Sequence, residues 1–147
     1  MLDTALDRSI VLGYTSIGHA VRRRLPAWPA DPAPDALRDR HCAVTGATSG
    51  LGTRTASDLA ALGAQVHLVV RDRAKGEQIA RQLRAETGRE DAARVWICDV
   101  AAADSVAAFV EAFLAGGVRL SGLIHNAGLL PATRQEDDRG HELTMAV

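Results

Sequence analysis

Three glycines, Gly46, Gly50 and Gly52, fall in the run Thr45-Gly46-Ala47-Thr48-Ser49-Gly50-Leu51-Gly52. A short apolar stretch (Cys42, Ala43, Val44) leads into that run, and an alanine-rich segment of helical character, Thr53 to Leu62, leaves it. A strand, a glycine turn and a helix in that order make a place for an anion. The helix start offers unpaired N–H groups and the positive end of the macrodipole, and glycine lets the backbone close on a phosphate without a Cβ in the way. The spacing Thr-Gly-x-x-x-Gly-x-Gly differs from the Gly-x-Gly-x-x-Gly of the broad dinucleotide fingerprint. On the turn alone, a nucleotide cradle and an ordinary tight connection are both open, and the rest of the chain has to decide.

Past the turn, strand and helix signals alternate. Gln65 to Val70 is a β-branched run, followed by a helical pattern over Arg73 to Thr87, with Ile79 and Leu83 on one face and Gly88 at its end. Arg94 to Cys98 predicts a third strand, and Ala103 to Leu114 a third helix with Val106, Phe109, Val110 and Phe113 as its buried face and Gly116-Gly117 beyond it. Leu120 to His125 predicts a fourth strand. Such alternation implies parallel pairing through right-handed crossovers, hence an α/β, doubly wound parallel sheet. Ligands of these sheets lie at the carboxyl ends of the strands. The residues just after each strand are therefore the ones to read.

After the second strand comes Arg71, nineteen residues beyond Gly52, where the dinucleotide rule places the group that reads the adenosine ribose. An acid there would hold the 2′-hydroxyl of NAD and repel a 2′-phosphate. Arginine does the reverse, its planar fork suiting a phosphate through charge-assisted bonds worth about 1.5–3 kcal/mol. NADP is the expected cofactor, with NAD the alternative should Asp72 rather than Arg71 point into the pocket. A solvated charge opening a loop is the plainer reading of Arg71. After the third strand come Asp99 and Val100. Asp99 is placed to accept from the exocyclic amine of adenine while Val100 covers the ring; the alternative is a helix N-cap or turn residue. After the fourth come Asn126, Ala127 and Gly128, the small residues letting the loop approach a bound ribose and the Asn126 amide tying strand ends together. His125 reads as a structural histidine rather than a general base, because the strand run leads directly into it.

The bulk composition narrows the partners. A chain of 147 residues with 47% hydrophobic content buries one core, and 17 Lys and Arg against 18 Asp and Glu leave no electrostatic footprint for nucleic acid. Cys42 and Cys98 lie in apolar runs without metal-ligand spacing and read as reduced core residues, which suits a cytoplasmic protein. Asp3 and Asp7 stand where a secretory signal carries basic residues, and no apolar run approaches the ~20 residues needed to cross a bilayer, so a soluble protein is expected. Over residues 1–25 the apolar positions Leu2, Leu6, Ile10, Tyr14, Ile17, Val21 and Leu25 form one helical stripe. Gly13 and Gly18 each cost a helix about 1 kcal/mol, so one helix or two shorter ones fit equally. The Arg22-Arg23-Arg24 cluster suits the last turn before Pro26, and residues 26–40 read as a Pro-rich linker. The stripe packs on the main domain or on a second copy. Peripheral contact with a membrane surface is the sharper alternative, suggested by Trp28 and the arginines and opposed by the two aspartates.

On these residues the chain resembles the short-chain dehydrogenase/reductase family. Thr45 to Gly52 matches that family's Thr-Gly-x-x-x-Gly-x-Gly, Asp99-Val100 its adenine-contacting Asp, and Asn126-Ala127-Gly128 its Asn-Asn-Ala-Gly, with His125 in place of the first Asn. Val70 to Glu77 is similar to the retinol-dehydrogenase-like branch, commonly NADP-preferring, as is Asp137 to Glu142 continuing to Met145-Ala146-Val147. The resemblance spans residues 41–147. It implies a Rossmann-like sheet truncated after about four strands and preceded by a helical N-terminal arm. It also implies an NADP-dependent oxidoreductase acting on a carbonyl or alcohol, with cofactor contacts at Gly46, Thr48, Ser49, Gly50, Leu51, Gly52, Arg71, Asp99, Val100, Asn126, Ala127 and Gly128. The family does its chemistry with a Ser, a Tyr-x-x-x-Lys and an Asn. Here the only tyrosine is Tyr14, with Gly18 four residues on, and the family Asn is expected beyond Val147. The expectation is thus an incomplete cofactor-binding domain, inactive alone, whose small-molecule substrate belongs to a full-length form. An unpaired strand edge at Leu123 and Ile124 is expected to promote self-association. The alternatives are a non-catalytic nucleotide-binding or interaction module, and a product without function.

Overall fold

The computed structural model describes residues 15–25 and 28–147, and the chain divides into two compact units, residues 1–32 and 33–147. The first unit holds α1 (Ser16–Arg22), whose N-cap Thr15 accepts from the Gly18 amide. The His19 ring meets Trp28 edge-on at 5.4 Å, Arg23 pairs with Asp31, and Ile17 is exposed. The expected stripe positions Leu2, Leu6, Ile10 and Tyr14, together with Asp3, Asp7, Gly13 and Pro26, lie outside the described residues. Among the described residues no helix is long and apolar enough to cross a membrane.

In the second unit four short, largely apolar runs form β1 (His41–Thr45), β2 (Gln65–Val70), β3 (Ala93–Ile97) and β4 (Leu120–Ile124). They make one parallel sheet in the order β3-β2-β1-β4. The connecting helices are α2 (Gly50–Ala61), α3 (Arg73–Thr87) and α4 (Ala103–Ala115), and a single turn, α5 (Leu143–Ala146), closes the chain. This is the Rossmann-like, doubly wound α/β arrangement expected. β2 and α3 fall where their patterns place them, and Gly88 ends α3 at φ 65°.

Several details differ from these expectations. Helix α2 begins at Gly50 rather than Thr53, because Ser49 holds the extended N-cap conformation and the last two motif glycines lie in the first turn. Strand β3 sits one residue earlier than expected, so Cys98 follows it rather than ending it. Val110 of α4, expected on the buried face, is 44% exposed. The stripe that meets the sheet is Val106, Phe109 and Phe113, spaced i, i+3, i+7, and Val110 is carried about 100° around from Phe109.

The two central strands, β1 and β2, are buried on both faces. Cys42, Val44, Val66, Leu68 and Val70 pack on Ala56 and Ala60 of α2 and on Ala80 and Leu83 of α3. Small residues let these helices lie close: a Cβ at Gly76 of α3 would come 2.7 Å from Val70 Cγ2. The opposite face, with Ala43, Val69 and Cys98, is covered by α4 and by Trp96. Residues 34–39 run through successive turns. Leu37 packs on the α2/α3 core, and its amide donates to Leu62 O at 2.8 Å. On β4, which among the described residues pairs only with β1, Ile124 packs against that same core while Leu123 is 50% exposed.

Candidate functional site

The first strand of the sequence lies inside the sheet, and the chain turns back past it to lay down β4. The reversal sits between β1 and β4, the position where doubly wound sheets open a crevice. A cleft of about 430 Å³ lies there, built from the residues that follow each strand. The glycine turn contributes Gly46, Thr48, Ser49, Gly50 and Leu51. The end of β2 contributes Arg71, Asp72 and Lys75, the end of β3 Asp99 and Val100, and the end of β4 Asn126, Ala127 and Gly128. Every residue expected to touch a cofactor lines this cleft except Gly52, which is buried beneath the turn. His125 is exposed and outside the lining.

The turn is shaped by close approaches. Gly46 has φ 65°, and a Cβ on it would lie 2.9 Å from Ala127 Cα, so both conformation and space require glycine. At Gly52 a Cβ would come 2.4 Å from Asn126 Nδ2 and 2.4 Å from Gly46 O. The contact is tight because Asn126 clasps the turn: its Nδ2 donates to Thr45 O at 3.1 Å and to Gly46 O at 3.2 Å. The Thr45 hydroxyl accepts from the Asn126 and Ala127 amides, each at 3.0 Å, and Thr53 Oγ1 donates to Ala47 O at 3.0 Å. β1, the turn and the loop after β4 are thereby locked together. Ser49 makes no side-chain cap bond to α2, and no acid occupies that helix's first turn. The opening amides of α2 thus face the cleft side of the turn without a side-chain acceptor, which fits a phosphate.

The second wall is cationic. Arg71 is exposed at the mouth. Asp72 is the N-cap of α3, its Oδ1 accepting from the Lys75 amide at 3.1 Å, and its Oδ2 lies 3.8 Å from Lys75 Nζ. The carboxylate beside Arg71 is therefore engaged as a cap. Lys75 is a lining residue that the sequence reading did not single out. The available signal was its position: a cation in the first turn of a helix opposes the macrodipole and gains from a bound anion nearby.

On the third wall, Asp99 Oδ1 accepts from the Ala101 amide at 3.0 Å and Asp99 O from the Ala102 amide at 3.1 Å, while the Asp99 amide donates to Ser105 Oγ at 2.9 Å. Asp99 is thus a turn residue ahead of α4, whose N-cap is Ala102, and half-buried in the cleft wall as well. Burial pushes the thiol of neighbouring Cys98 up, keeping it neutral. Beyond the cleft, Asp137 accepts from the Arg139 and His141 amides and lies 2.9 Å from His141 Nδ1. The His141 ring is the largest influence holding the Asp137 carboxyl below its ordinary range. Arg139 Nη2 donates to Asp104 Oδ1 at 2.8 Å, tying this loop to α4.

Comparison with known proteins agrees with the geometry. The sequence profile of the short chain dehydrogenase family matches residues 40–146. Dehydrogenase/reductase SDR family member 13 of Bos taurus is 45% identical over 101 residues, covering 69% of this chain and 26% of that protein. Retinol dehydrogenase 11 of Mus musculus is 41% identical over 106 residues, 71% of this chain and 33% of that protein. A short chain dehydrogenase from Shigella flexneri 2a str. 301, solved in complex with NADP, superposes with a TM-score of 0.61 at 35% identity, over 67% of this chain and 41% of that one. The chain thus spans about a quarter to a third of the length of these curated relatives. With the profile running from the start of β1 through the glycine turn to α5, the chain belongs to the short-chain dehydrogenase family.

Proposed function

We propose that residues 41–147 form the NADP-holding part of an oxidoreductase that moves hydride between a carbonyl and an alcohol. The observation that carries the cofactor choice is the second wall. Arg71 and Lys75 stand where a dinucleotide presents its adenosine ribose, and the one carboxylate between them, Asp72, is spent on capping α3. Two cations with an occupied acid favour a 2′-phosphate over a free 2′-hydroxyl. The amides opening α2, with Thr48 and Ser49, would hold the pyrophosphate. Asp99 and Val100 would hold the adenine, and Asn126 to Gly128 would meet the nicotinamide-side ribose. The bound nicotinamide supplies or takes the hydride; this chain's residues bind and orient it. The sequence contains no Tyr-x-x-x-Lys, so this 147-residue chain is expected to bind the cofactor without turning over a substrate.

The test is a titration of the purified chain with NADP and with NAD. Arg71→Ala and Lys75→Ala should each weaken NADP about ten-fold or more, the loss expected for one charge-assisted bond, and leave NAD affinity unchanged. Equal losses for both nucleotides would remove the 2′-phosphate assignment. A folded chain that binds neither would favour the interaction module.

A further inference from the structure

Beneath α4, rings from three adjacent strands are joined in one line. Trp96 Nε1 donates to His67 Nδ1 at 2.9 Å, and His67 Nε2 lies 3.1 Å from His41 Nδ1. An indole N–H can only donate. His67 Nδ1 must therefore be unprotonated, neutral His67 carries its proton on Nε2, and that proton is given to His41 Nδ1. Each step has one direction, and neutral His41 keeps its own proton on Nε2. His67 is fully buried, with Phe113 of α4 edge-on to it at 5.0 Å, and Trp96 meets both Phe109 and Phe113. The hydrogen-bonded line is thus also the surface on which the aromatic residues of α4 rest.

We propose that the His41–His67–Trp96 line is an acid-released latch that holds α4 against the sheet while both imidazoles are neutral. A proton on His41 Nδ1 would face the His67 Nε2–H, donor against donor. A proton on His67 Nδ1 would face the indole N–H. Either addition breaks the line at a part-buried joint of the buried His67 ring, where an unmade hydrogen bond is costly. The neighbouring groups oppose protonation as well. Arg94 of β3 stands directly across from His67 in the strand register, its guanidinium 4.5 Å from the Trp96 ring centre, and His41 approaches from β1. Leu120 of β4 is the register partner of His41 and brings no charge. From α4, Asp104 is paired with Arg139 and exposed, and Glu111 is exposed, so neither offers the rings a buried counter-charge. Burial pushes His67 down to about 4, with His41 and Arg94 acting in the same direction. Three residues beyond Trp96 the chain reaches Asp99. On the nucleotide reading above, release would therefore loosen the adenine wall, though the latch itself stands apart from that reading.

Replacing Trp28 by Phe leaves Trp96 as the sole indole. Its fluorescence, followed as pH falls from the ordinary histidine pKa of about 6.5 towards about 4, should report release of α4 in the Trp28→Phe chain. Replacing His67 and His41 together by Gln should abolish that change, since a Gln amide accepts and donates but does not titrate. Identical pH profiles with and without the two substitutions would overturn the latch. Nitrogen-15 NMR of the unaltered chain gives a reading that needs no variant to fold. His67 should appear at neutral pH as the Nε2–H tautomer and titrate well below an ordinary histidine. An Nδ1–H tautomer, or titration near 6.5, would overturn the proposal. NADP titration across the same pH range then separates the two readings: an intact latch with no effect on binding would fault the coupling to the cleft alone.

Discussion

Gly52→Ala tests the construction of the cleft at its tightest point. The added methyl would sit 2.4 Å from Asn126 Nδ2 and 2.4 Å from Gly46 O, well inside the 3.0 Å that real Cβ contacts essentially never cross. The Asn126 amide can leave only by giving up its bonds to Thr45 O and Gly46 O. Two such bonds contribute about 0.5–1.5 kcal/mol each. Gly46 O belongs to the backbone, so the turn must also shift, at about 1–3 kcal/mol for overpacking. Alanine returns about 1 kcal/mol through helix propensity. The net loss expected is about 3 kcal/mol, a large part of the roughly 5–15 kcal/mol of a typical domain. Urea unfolding should show it as a midpoint lowered by about 1–2 M with an unchanged slope. Asn126→Ala alone should cost about 2 kcal/mol, from the same two bonds and the groups they leave unpaired. Gly52→Ala should cost less in the Asn126→Ala background than in the native one, because one of its two clashes is already gone. The double variant should still not regain native stability, since the clash with Gly46 O persists. A Gly52→Ala chain within about 0.5 kcal/mol of native would refute the clasp as the determinant of the turn.

Two further outcomes are expected. His67 titrates at about 4 in the folded chain against an ordinary 6.5, so between those values the unfolded chain binds more protons. Stability from this group is complete above about pH 6.5 and is lost as pH falls through about 4, in total about 3 kcal/mol at 1.36 kcal/mol per pH unit. Urea midpoints at stepped pH should show this loss in the native chain and not in His67→Gln, and matching slopes would contradict it. At the sheet edge, Leu123 is 50% exposed on β4, which has β1 as its sole strand partner among the described residues. Leu123→Lys should lower any concentration-dependent association seen by sedimentation, and unchanged association would move that surface elsewhere.

What the sequence made legible follows from locality. Arg71, Asp99 and Asn126 could be located because each directly follows a strand, and strands in a parallel sheet all deliver their carboxyl ends to one side. β2 and α3 were readable because a β-branched run and a capped 3.6-residue pattern are bounded by Asp72 and Gly88 at their own termini. The start of α2 was not, since glycine is a poor helix former and the reason it is tolerated there lies in Asn126, about 74 residues further along. Val110 was misplaced for a related reason. An apolar residue at the margin of a helical stripe is buried only if a neighbouring element covers it, and periodicity carries no information about neighbours.

The histidine line shows the same limit more sharply. His41, His67 and Trp96 are separated by 26 and 29 residues in sequence and meet because the parallel register brings alternate positions of three strands to one face. Inside an apolar run, His67 reads as an interruption. Its meaning depends on a donor-only partner on one side and a second imidazole on the other, neither of which has a local signature. A buried polar residue in a predicted strand is therefore better read as a request for two cross-strand partners than as a weak strand former. In this chain the partners are a tryptophan that fixes the tautomer and a histidine that accepts the remaining ring proton.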